Sequence, residues 1–194
     1  MVNSQDGKNM SWMGKIIGSA FGLLVGGPIG AVFGASVGHQ FDRGLSSMGQ
    51  NHTLGNQHQQ NIQAAFINAS FSVMGHIAKA DGVVSPAEIN MAKAIMDEMQ
   101  LTPDQRSKAV ELFQAGKKSD FQLEEVLTNF RHTCRKRQDL IHAFLRIQVQ
   151  AAYADGTLEN VEEQLLLHMC SRLGISRFEY QAIKMQFQTQ HRFN

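Results

Sequence analysis

Two stretches of the chain carry acidic side chains in the same pattern. The first is Ala80-Asp81-Gly82-Val83-Val84-Ser85-Pro86-Ala87-Glu88. The second is Ala154-Asp155-Gly156-Thr157-Leu158-Glu159-Asn160-Val161-Glu162, 74 residues further on. Both read Ala-Asp-Gly, then an apolar residue two places after the glycine, then a glutamate. Carboxylates brought together from two such loops are hard oxygen ligands for a divalent cation. Gly82, Val84 and Glu88 hold the spacing of the glycine, the apolar residue and the closing glutamate of a calcium-binding helix–loop–helix. The first and third ligands of such a loop would be Ile77 and Lys79, or Ala151 and Tyr153, and none of these suits calcium. A complete calcium hand is therefore excluded. If the two loops face each other, Asp81, Glu88, Asp155 and Glu162 together are the candidate metal ligands. The competing role is structural. Glycine stops one helix, Ser85 caps the next, Glu88 closes a capping box, and Glu162 sits in a first turn where the helix dipole favours an acid.

Other reactive groups are sparse. The two cysteines, Cys134 and Cys170, exclude a disulfide-stapled scaffold and a zinc module built on cysteine pairs. Cys134 lies in Arg131-His132-Thr133-Cys134-Arg135-Lys136-Arg137, whose cations could lower its thiol pKa. The preferred reading of the run is the solvated, dipole-complementing end of a helix; it could also attract anionic lipid or a phosphate backbone, though no aromatic platform accompanies it. No nucleophile elbow, phosphate-binding loop or metalloprotease helix motif occurs. The eight histidines lack ligand spacing. His52 and His58 read as solvated, and His76 and His142 as partly buried on helices. No catalytic residue is assigned, and the chain is expected not to be an enzyme. A divalent cation is the one candidate cofactor.

The elements that must position these groups are helices. Hydrophobic residues make up 43% and charged residues 18%, which excludes a broadly disordered chain. The net charge of +1 gives no global pull toward nucleic acid, and no such partner is expected. Ile62, Phe66, Ala69, Val73 and Ile77 recur at steps of three and four. Ser85-Pro86-Ala87-Glu88 and Thr102-Pro103-Asp104-Gln105 each open a helix with a cap, a first-position proline and a reciprocal acid or amide. Ser119 or Asp120 is expected to cap a fourth helix through Phe130. Leu140 to Ala151 marks a fifth and Leu165 to Leu173 a sixth. Gly174 ends that one, and Ser176 caps a seventh. No run alternates as a strand would. Residues 61–190 are thus expected to form an all-α domain, a seven-helix bundle. Because of the repeat, its halves are expected to be duplicated about a pseudo-twofold axis. Residues 43–60, rich in Gly, Ser, Asn, Gln and His, read as a flexible polar linker.

Residues 1–42 read as a membrane anchor. Ile16 to Gly38 contains no Asp, Glu, Lys or Arg. As a helix those residues would be about 34 Å long, enough to cross a bilayer core of roughly 30 Å. Gly14, Gly18, Gly22, Gly26, Gly30, Gly34 and Gly38 step by four. Each interior glycine costs a water-exposed helix about 1 kcal/mol, whereas in a bilayer the helix is retained and the small residues admit a second helix closely. The stripe drifts by about 40° per step, so it stays on one face only in a right-handed pair. Gly26-Gly27-Pro28 at the midpoint leaves a single span and a hairpin both open. The run is too long for a secretory signal, and no cleavage pattern follows it. Lys8 and Lys15 before the span, against Arg43 after it, put the N-terminus in the cytoplasm by one charge.

Taken in order, these segments resemble a known family. Trp12-Met13-Gly14-Lys15-Ile16-Ile17-Gly18, the glycine span and Gly38-His39-Gln40-Phe41-Asp42 resemble the anchor of DjlA, the membrane-anchored DnaJ-like co-chaperones. Val73-Met74-Gly75-His76, Phe130-Arg131, Cys134, Asp139-Leu140-Ile141, Gln148-Val149-Gln150-Ala151-Ala152 and Leu173-Gly174-Ile175-Ser176 continue the likeness. The domain after residue 60 resembles the TerB domain named for tellurite resistance. The resemblance implies a stress-related inner-membrane protein of a Gram-negative bacterium, homodimeric through its span, with the TerB-like domain in the cytoplasm. That topology opposes the charge count and is preferred, because a J-domain must reach a cytoplasmic Hsp70. The resemblance also implies a divalent cation at Asp81, Glu88, Asp155 and Glu162. No histidine here is followed by proline, so the J-domain's His-Pro-Asp is missing from these residues. The expectation is a regulatory and docking module of such a co-chaperone, with Hsp70 a partner only if a J-domain follows. The alternative is a J-less relative that binds a cation or stress-response proteins at the membrane. Replacing Gly22, Gly26 and Gly30 together by leucine is expected to abolish cross-linking of the chain to itself in membranes. Undiminished cross-linking would exclude the stripe as the contact.

Overall fold

The computed structural model describes residues 50–80 and 82–192. The glycine-rich span, the start of the expected linker and Asp81 lie outside the described residues. Among the described residues seven helices follow one another: α1 (Gln50–Ala78), α2 (Pro86–Glu98), α3 (Pro103–Gly116), α4 (Leu123–Thr133), α5 (Gln138–Ala152), α6 (Asn160–Leu173) and α7 (Arg177–Arg192). Among the described residues there is no strand, and no helix is long and apolar enough to cross a membrane.

Local chemistry accounts for most helix starts. The Ser85 amide donates to the Glu88 carboxylate at 2.6 Å, and the Glu88 amide donates to Ser85 Oγ at 3.2 Å. Thr102 and Gln105 exchange the same pair of bonds at 2.9 and 3.3 Å. Ser176 and Glu179 do so at 2.8 and 3.2 Å. Each box satisfies two backbone donors that a helix start leaves without partners. α2 and α6 also end alike. Gln100 and Gly174 take positive φ values of 50° and 78°. The next amides, of Leu101 and Ile175, bond back to the Met96 and Cys170 carbonyls at 3.1 and 2.9 Å.

Two expectations need correction. Residues 50–60 are helical, so the linker cannot run to residue 60. Their lack of an apolar period therefore does not report a lack of helix. The turns buried from Ile62 onward supply the nucleus, and polar residues extend it at little cost. The Gln57 amide reaches Asn61 one turn on at 3.4 Å. The fourth helix starts at Leu123, with no side-chain cap, and neither Ser119 nor Asp120 caps it. Those residues belong to a turn in which the Lys118 amide bonds Ala115 and the Phe121 amide bonds Lys118, both at 3.2 Å. The turn places Phe121 against the His76 ring, 5.1 Å between centroids.

Burial then organises the bundle around α1 and α5. Every residue of α1 from Ala69 to Gly75 is buried, so this helix has no solvent face there. The rings of Phe66, Phe130 and Phe144 join α1, α4 and α5, with centroids 6.1 and 4.9 Å apart. The Gln148 side chain of α5, wholly buried, donates to the Ser70 carbonyl of α1 at 3.1 Å. His58 and Ile62, early in α1, line one cleft with Arg137, just before α5. The two helices therefore run side by side in the same direction. On its other flank α1 meets α3 backbone to backbone. A methyl added at Gly116 would lie 1.8 Å from the Ser72 carbonyl oxygen, and one at Gly75 would lie 2.0 Å from that of Phe113. The 74-residue shift replaces Gly75 by Val149, so the sequence repeat does not extend to this crossing.

Gly116→Ala and Gly75→Ala must each push two main chains apart. Each is expected to cost about 3 kcal/mol or more, the upper range for overpacking, and to lower Tm by roughly 10 °C. Denaturant melts of the two variants check this, and a loss below about 1 kcal/mol would contradict the crossing.

Candidate functional site

Because α1 and α5 are parallel, both Ala-Asp-Gly loops emerge at the same end of the bundle, away from the start of α1. They are built alike. The Gly82 amide bonds the Lys79 carbonyl and the Gly156 amide bonds the Tyr153 carbonyl, each at 3.0 Å. The two glycines have φ of 101° and 94°, and a methyl on either would meet nothing within 4 Å. Glycine is required there by backbone conformation, not by space.

Three of the four expected ligands lie within the described residues, and each has local work. Glu88 closes the Ser85 box. Glu162 is buried, 6% exposed, and accepts from the Glu159 amide at 3.0 Å, the same position in the second copy. Asp155 Oδ1 accepts from the Thr157 amide at 3.0 Å and from its hydroxyl at 3.2 Å, closing an Asx turn. That turn gives the aspartate before Gly156 a role that the spacing alone left unexplained. Among the described residues no three His, Cys, Asp or Glu side chains converge as a metal set. The fourth candidate, Asp81, lies outside them.

The opposite end of the bundle is basic. α4 ends, and α5 begins, beside the first turns of α1. A cleft of about 440 Å³ lies between them, lined by His58 and Ile62 on one wall and by His132, Arg135, Lys136 and Arg137 on the other. A second cleft of about 320 Å³ adjoins it, with Arg131, Arg135 and Arg172 in its walls. Two of these cations are neutralised. Arg137 forks onto Asp139 at 2.9 and 2.7 Å, and Arg172 meets Glu124 at 2.6 Å. The Arg137 bonds hold the Asp139 carboxyl below its ordinary range. Arg131 donates to the Arg172 carbonyl at 2.9 Å. Arg131, Arg135 and Lys136 have no carboxylate partner among the described residues.

Beneath this surface Cys134 is fully buried, and burial pushes its thiol up to about 12, against which the Arg137 charge acts only in part. The neighbouring cations therefore do not activate it, because desolvation outweighs them. Cys170 is buried and raised to about 12 in the same way. His76 donates to the Gly116 carbonyl and its pKa is lowered chiefly by burial, while His142 pairs with Glu179 at 3.2 Å. Both histidines are tied into the fold.

Comparison with known proteins agrees with this layout. The family described as Tellurite resistance protein TerB matches residues 68–185, from within α1 to within α7. The family described as Co-chaperone DjlA transmembrane domain matches residues 10–48. Co-chaperone protein DjlA of Coxiella burnetii is 37% identical over 187 residues, 95% of this chain and 69% of the relative. The chain belongs to the DjlA family, and its helical domain to TerB. The DjlA of Photobacterium profundum is 44% identical over 84% of this chain and 61% of its own length. The DjlA of Legionella pneumophila is 45% identical over 75% of this chain and 50% of its own. The chain thus spans about half to two thirds of the DjlA relatives it matches. No solved structure matches it.

Glutamine keeps the oxygen that a capping box needs and removes the charge. If Glu162 only caps, Glu162→Gln is expected to leave Tm nearly unchanged, and Glu162→Ala to cost about 1 kcal/mol. A rise in Tm with Ca²⁺ or Mg²⁺ that disappears in Glu162→Gln would assign the carboxylate to a cation instead.

Proposed function

We propose that the chain is the anchor and docking part of a DjlA-type membrane co-chaperone. One observation carries this reading: a DjlA transmembrane match at 10–48 and a TerB match at 68–185 follow each other on one chain. In this reading residues 16–38 span the bacterial inner membrane, and 39–49 join the span to α1. The bundle stands in the cytoplasm, its halves a duplicated unit about a pseudo-twofold axis. The glycines from Gly14 to Gly38 pair two copies in the bilayer. Protein partners meet the bundle, and Hsp70 is among them if a His-Pro-Asp J-domain belongs to the same polypeptide. The module itself performs no catalysis. The burial of Cys134 supports this, because it removes the one nucleophile that the sequence offered.

Extraction of native membranes with alkaline carbonate, followed by protease treatment of inverted inner-membrane vesicles, tests the reading. The chain is expected to stay with the membrane and its bundle to be cleaved in inverted vesicles but protected in spheroplasts. Release by carbonate, or cleavage in spheroplasts, would refute the anchor or its orientation.

A further inference from the structure

The basic corner has cations left over and a defined place in the molecule. Of Arg131, Arg135, Lys136, Arg137 and Arg172, only Arg137 and Arg172 are matched by carboxylates, those of Asp139 and Glu124. Arg135 and Lys136 are exposed, as is Arg131. Arg131 belongs to the last turn of α4, where a cation complements the helix dipole. Arg135 and Lys136 lie beyond that turn, so the dipole does not account for them.

The position of the corner selects what these charges meet. The transmembrane match ends at residue 48, and α1 begins at Gln50. His58, which lines the cleft, is two helical turns into α1. From Gly38, the end of the span in the anchor reading, to His58 the chain can extend no further than about 55 Å, at most twelve extended steps and eight helical ones. The corner is therefore at the end of the bundle tied nearest to the bilayer surface, and the acidic loops lie at the other end. Anionic headgroups concentrate negative potential at that surface, and each nearby Lys or Arg gains from it within a Debye length of about 8 Å.

We propose that the α4–α5 corner, through Arg131, Arg135 and Lys136, seats the TerB domain against anionic lipid headgroups of the membrane that anchors the chain. The inference rests on the anchor reading above. The domain then has a fixed orientation: its basic end faces the leaflet and its Ala-Asp-Gly loops point into the solvent.

The full chain, reconstituted in liposomes, provides the test. A Gln138→Cys substitution puts one reactive thiol on the exposed start of α5, since Cys134 and Cys170 are buried. A bimane at that thiol is read against lipid carrying a nitroxide on its headgroup. Strong quenching is expected in phosphatidylcholine with phosphatidylglycerol, and little in phosphatidylcholine alone. A bimane at Val83→Cys, at the far end and 72% exposed, should stay bright in both. Arg135→Gln with Lys136→Gln should lower the docked-to-free ratio roughly thirtyfold, equivalent to about 1 kcal/mol per cation. Salt at about 0.5 M should release the corner. Equal quenching in both lipids, or quenching that survives the double substitution, overturns the inference. So does release by inorganic phosphate at matched ionic strength, which would make the corner a phosphate site. Flotation of the same liposomes separates the two readings. A chain that floats without lipid-selective quenching loses only this inference, and a chain that does not float loses the anchor reading and this inference with it.

Discussion

The contact between the main chains of α1 and α3 is the constraint on which the remaining packing rests. Gly75 and Gly116 each face a carbonyl of the other helix with no room for a methyl. Gly75, inside α1, costs that helix about 1 kcal/mol, whereas Gly116 is the last residue of α3; the close approach offsets the cost by removing solvent from both backbones. With α3 drawn in on one flank, α1 is enclosed from Ala69 to Gly75. It then serves as the axis that α5 joins through Gln148 and Ser70. The His76 bond to the Gly116 carbonyl and the Phe121 ring close the same seam.

What the sequence shows of this is what short-range chemistry decides. Ser85, Thr102 and Ser176 declare their helices because each box is completed within four residues. The start of α4 was not legible, because Ser119 and Asp120 offer cap chemistry that a tight turn after α3 uses up first. The helical stretch 50–60 was hidden for a different reason: its sequence has no apolar period, and periodicity is the signal by which a helix is read. Gly75 carries no local signal of its role, since nothing near it in sequence says that Phe113 will lie against it.

The candidate site divides in the same way. The Ala-Asp-Gly pattern correctly marks two matching loops, and the glycines at φ near 100° explain half of it. The acids are chemically ambiguous in sequence, because capping and cation binding ask for the same residues. In the fold Glu88 and Glu162 accept from cap amides and Asp155 accepts from Thr157. Cys134 shows the opposite ambiguity. Its cationic neighbours are visible in sequence and its burial is not, and burial decides its chemistry.

The bundle formed by the described residues has two unlike ends. α1 brings the chain from a segment that matches a transmembrane family into the core of a TerB bundle. The basic corner lies at the near end and the paired loops at the far end. This order of segments is that of the DjlA family to which the chain belongs. The most direct measurement is the intact mass of the native polypeptide extracted from its own membranes. The account predicts a product heavier than 21.6 kDa by roughly one small domain, with His-Pro-Asp in the added sequence. A mature product of 21.6 kDa would contradict it and leave the TerB bundle to carry the function alone.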